Sequence, residues 1–70
     1  MVMRRVVIYK GEDGFWVAEC PTLPGCVSQG KTVDGALKNI REAIKAYVGA
    51  LEMDKLPVPP ETESIMLAEV

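Results

Sequence analysis

The sequence contains no histidine, so it lacks the usual general base of nucleophilic catalysis and a common ligand of zinc. Its two cysteines, Cys20 and Cys26, are too few to make a structural zinc site by themselves. Positive charge is scarce: Lys and Arg number 8 against 10 Asp and Glu, which gives a net charge of −2 and a sequence pI of about 5.0. The one adjacent basic pair is Arg4-Arg5, whereas a phosphate-binding surface needs clustered cations. That balance disfavours free nucleic acid and suits a basic protein partner. No run approaches the ~20 apolar residues that span a membrane. Val6-Val7-Ile8-Tyr9 is also too short for a signal-peptide core. A phosphate cradle is missing as well, because Gly11-x-x-Gly14 opens a strand rather than a helix. The carboxylates Glu12, Asp13, Glu19, Asp34 and Glu42 are scattered, and no spacing gathers them into a two-metal centre. The expectation is a cytoplasmic protein that is not an enzyme and takes no cofactor. Its thiols are expected to be reduced, although a disulfide across the short stretch between them is sterically possible.

What is present is apolar. Hydrophobic residues make up 49% of the 70 positions, with a mean hydropathy of +0.12. A chain of this size buries only about 60% of the surface its unfolded form exposes. Small folds commonly gain the missing stability by oligomerising. One domain over residues 1–70, associating with copies of itself as a dimer or higher oligomer, is the expectation.

Residues 3–10, rich in β-branched side chains, predict a first strand with Val6 and Ile8 on one face and Arg5, Val7 and Tyr9 on the other. Apolar residues on both faces predict a sheet covered on both sides. One helix can cover only one face, so the other cover would be a second subunit. Gly11-Glu12-Asp13-Gly14 forms a turn into a second strand over 15–20, which places Phe15, Val17 and Glu19 opposite Trp16, Ala18 and Cys20. Trp16 suits either the core or an interface. Pro21 and Pro24 interrupt pairing, and Pro24-Gly25 suits the centre of a type II turn leading to a short third strand over 26–29. Gly30 is read as the pivot into a helix capped by Thr32. Val33, Leu37, Ile40, Ile44, Tyr47 and Leu51 form its apolar stripe, widened by Ala36, Ala43 and Val48. Asp34 and Lys38 are spaced for an ion pair on its outer face. The helix runs to about Met53, is stopped by Pro57-Val58-Pro59-Pro60, and is followed by a last strand over 64–70.

The run Gly14-Phe15-Trp16-Val17-Ala18-Glu19, then Pro21, Leu23-Pro24-Gly25-Cys26, Ser28-Gln29-Gly30, Thr32, Ala36-Leu37 and Glu42-Ala43-Ile44 with Tyr47, resembles the HicB family. These are the antitoxins of HicA–HicB toxin–antitoxin pairs and their stand-alone relatives. The resemblance implies an α+β domain of order β-β-β-α-β, with a three- to four-stranded, mainly antiparallel sheet, one long helix on one face, and a partial RNase H-like fold. It also implies an antitoxin that binds a small basic HicA-like mRNA interferase and blocks it. Longer members append a DNA-binding domain; this chain ends at Val70 without one, so direct DNA binding is not expected. On that reading Trp16, Leu23 and Pro24 are the expected contact residues, with Glu19 as an electrostatic helper. The alternative is a stand-alone homo-oligomeric domain without a toxin partner.

Overall fold

The computed structural model describes residues 3–61 and 68–70. Among the described residues three strands, β1 (Val7–Lys10), β2 (Trp16–Glu19) and β3 (Val27–Gly30), form an antiparallel sheet in that order, and one long helix, α1 (Val33–Met53), follows. This is the α+β arrangement expected from the sequence. The last strand expected over 64–70 falls for the most part outside the described residues.

Both turns follow from their residues. Gly14 N–H donates to Gly11 O at 3.1 Å and Gly11 N–H to Phe15 O at 2.7 Å, closing a three-residue loop with Gly14 at φ +86°. That is the loop in which Asp-Gly supplies the left-handed position. The second turn is double. Leu23 N–H donates to Cys20 O at 3.1 Å, and Cys26 N–H donates to Leu23 O at 3.0 Å. Pro24 and Gly25 sit at the centre of the second half, where Gly25 adopts the φ of +80° that a type II turn requires.

The strands are shorter than residue preference suggests. Continuing the register of Val7 with Glu19 places Pro21 opposite Arg5. Proline has no N–H, so the reciprocal pair of ladder bonds cannot form there. The same register puts Ile8, Ala18 and Ser28 in one row, with Trp16 and Gly30 beyond it, and this face receives the helix. Ala18, Cys20, Leu23 and Cys26 from the sheet side close on Ala36 and Ile40 from α1. Val6, Ile8, Trp16, Ala43, Ile44, Tyr47 and Val48 pack around them. The helix lies over β3 and β2, which leaves β1 at the margin.

Gly30 is needed for space rather than for a left-handed φ, which among the glycines only Gly14 and Gly25 adopt. A Cβ on Gly30 would stand 2.5 Å from the Ala36 nitrogen and 2.7 Å from the Gly35 carbonyl carbon, so the strand end rests directly on the first helical turn. Thr32 caps that turn by accepting the Gly35 N–H at 3.0 Å. The buried stripe centres on Ala36 and Ile40, and Val33 is exposed. The ion pair formed on the outer face is Glu42 with Lys45 at 3.9 Å, in place of the expected Asp34 with Lys38. At the other end Leu56 N–H donates to Leu51 O at 2.9 Å and Lys55 N–H to Glu52 O at 3.1 Å. Lys55 takes φ +56°, completing a Schellman cap without glycine.

Candidate partner-binding surface

The sheet face turned away from α1 carries Val7, Tyr9, Val17, Glu19, Val27 and Gln29 in adjoining rows. Tyr9 and Val27 are exposed, and Val7 and Val17 are half-buried. Tyr9 O–H donates to Glu19 Oε1 at 2.7 Å, which tethers the carboxylate to the neighbouring strand on this face. Donating to a carboxylate favours the neutral phenol and raises the Tyr9 pKa above its ordinary value. This bond therefore contributes below the ordinary tyrosine pKa and is lost as alkaline pH ionises the ring.

The expected contact residues are placed in four different surroundings. Glu19 lies on the open face. Trp16 lies on the helix side, half-buried against the core, with the Lys10 Nζ 5.9 Å from its ring centroid. Pro24 projects at the exposed tip of the double turn, where its carbonyl accepts the Tyr47 hydroxyl at 2.8 Å. Leu23 is fully buried at 0% exposure, and its side chain presents nothing to a partner in this conformation. It holds the turn from beneath. The dipeptide Leu-Pro reads alike whether its leucine points in or out, and here the two successive β-turns aim it inward.

A polar cluster that the sequence reading did not find lies at the base of the same turn. Arg4 Nη1 donates to Thr22 Oγ1 at 3.1 Å and Nη2 to Pro59 O at 2.7 Å. Glu61 accepts from Thr22 Oγ1 at 2.8 Å and from Arg5 N–H at 2.8 Å, with Arg4 Nη1 3.7 Å away. Both side chains are largely enclosed, Arg4 at 8% and Glu61 at 13% exposure. The Arg5 N–H, then the Thr22 hydroxyl, then Arg4 and Arg5 charges hold the Glu61 carboxyl below its ordinary pKa. Pro59 and Glu61 thereby tie the segment after the helix to the residues leading into β1 and to the turn. The signal that could have found this cluster is the pairing of Arg4-Arg5 with an acid just past the proline run.

Among the described residues no three His, Cys, Asp or Glu side chains converge on a metal-sized site, and no helix is long and apolar enough to cross a membrane. Fold and surface together define a small α+β module with an exposed apolar sheet face and a proline-tipped turn. The family described as HicB-like antitoxin of bacterial toxin-antitoxin systems matches residues 5–69, and the chain belongs to that family. A UPF0150 protein of Thermoplasma acidophilum is 50% identical over 54 residues, covering 77% of this chain and 78% of its own. One from Helicobacter pylori is 48% identical over 60 residues, covering 86% and 82%. One from Archaeoglobus fulgidus is 38% identical over 65 residues, covering 93% and 90%. No solved structure matches the chain significantly.

Proposed function

We propose that this single-domain protein is a cytoplasmic antitoxin that neutralises a small basic HicA-type mRNA interferase by covering its RNA-binding surface. The observation that carries the reading is membership of the antitoxin family over residues 5–69. Occlusion requires only a complementary surface, and the chain is acidic overall at −2. Glu19 beside the apolar rows of the open sheet supplies a charge that attracts a basic partner, with desolvated apolar area to hold it. Pro24 at the turn tip and Trp16 at the sheet end are the further contact residues, while Leu23 supports the turn from within.

The test is to co-purify the chain with a small basic protein encoded beside it and to measure RNA cleavage while this protein is titrated in. Suppression that completes near stoichiometric addition is the expected outcome. Undiminished cleavage at excess antitoxin overturns the reading. The exposed apolar rows on β1, β2 and β3 also favour a second reading, in which that face joins two copies of the chain, with or without a toxin.

A further inference from the structure

Cys20 and Cys26 are both free and both buried, at 2% and 5% exposure. They face each other across the end of the β2–β3 ladder. Cys20 N–H donates to Cys26 O at 3.0 Å, continuing the register of Glu19 with Val27. Strand alternation turns both side chains to the helix side, and both belong to one core cluster with Ala18 and Leu23. The Cys26 N–H turns back to Leu23 O, so the two stand as a half-bonded pair at the ladder end. Opposed antiparallel residues have Cα atoms about 4.5–5.5 Å apart, inside the ~4.4–6.8 Å range that disulfides span. We propose that Cys20 and Cys26 are a redox-responsive thiol pair, joined on oxidation into a disulfide that staples the mouth of the 20–26 turn.

Burial, reinforced by the neighbouring Cys20 and only partly offset by Arg4, raises the Cys26 thiol above its ordinary pKa. With both thiols buried, the reduced pair is shielded while the turn is closed, and exchange proceeds through its local opening. One cysteine thiolate attacks a low-molecular-weight disulfide such as glutathione disulfide and releases one glutathione. The second cysteine then displaces the attached glutathione. Two protein thiols are oxidised to one internal S–S bond, and one external disulfide is reduced to two thiols. The staple closes the turn that carries Pro24 at its tip and Thr22, the Glu61 partner, at its base.

The experiment equilibrates the full chain in glutathione buffers of rising oxidised fraction, alkylates what remains free, and reads mass and Tm. The expected product is a species lighter by two hydrogens that takes up no alkylating agent, shows no new intermolecular link, and reverts with dithiothreitol. Its Tm is raised by about 10 °C, the scale for a short closed loop in a domain of this size. Two alkylatable thiols in glutathione disulfide alone, only glutathione adducts or linked dimers, or an internal bond that lowers Tm would each overturn the proposal. Cys26→Ser is expected to show no oxidative rise in Tm, and a rise equal to that of the natural chain also overturns it. If that variant does not fold, the mass and Tm of the natural chain decide alone.

Discussion

Opposite Pro21, which has no N–H to give, the ladder lapses, and the Arg5 N–H donates to a carboxylate 56 positions further along the chain. Glu61 also takes the Thr22 hydroxyl and faces Arg4, so three chain segments depend on its negative charge. Because its folded pKa is depressed, the stability it contributes is present above the ordinary carboxylate pKa. That contribution disappears as pH falls through the lowered value. Glu61→Gln is therefore expected to lower the urea midpoint at neutral pH and to narrow the gap to the natural protein in acid. Parallel urea curves at neutral and acid pH check this; a gap that does not change with pH would show that charge is not what Glu61 contributes. A lone acid beside a proline run reads as surface charge, because its partners are remote in sequence and only the closed fold unites them.

Helix α1 is capped at both ends, but by devices of unequal fitness. Thr32 is a favoured N-cap residue, whereas Lys55 holds a left-handed backbone at the C-terminal end that glycine would hold without a Cβ penalty. Lys55→Gly is expected to stabilise the domain by about 0.5–1 kcal/mol, since relief of the left-handed penalty outweighs the extra freedom of glycine in the unfolded chain. A rise in Tm of a few degrees is the measurement. A fall would mean that the lysine stem packs usefully at that corner. At this scale the sequence is largely legible. Asp13-Gly14 and Pro24-Gly25 mark their turns, Thr32 marks the helix start, and the spacing from Ala36 to Tyr47 marks its buried face. Lys55 is not legible, because lysine carries no turn signal. The need for Gly30 is legible only as a corner, since what it provides is room for the backbone of Ala36.

In the whole molecule the sheet has one face under α1 and, among the described residues, one without a covering element, whereas the two-sided apolar pattern of β1 predicts a cover for both. The use of that face is not legible in the sequence, because alternation reveals that a face is apolar and says nothing of what meets it. Val17 stands at the middle of that face, paired with Tyr9 on one side and Gln29 on the other. Val17→Asp is expected to shift the protein to monomers in sedimentation experiments while far-UV circular dichroism is preserved. An unchanged oligomer would place self-association elsewhere. The edge at β3 bears on how far such assembly can go. The Asn39 Nδ2 donates to the outward Gln29 carbonyl at 2.7 Å, so the helix has already taken the acceptor that an incoming strand would use. A strand adding at β3 would have to displace the Asn39 amide, so the helix makes that edge a poorer template for strand-on-strand growth than it would be with the Gln29 carbonyl free.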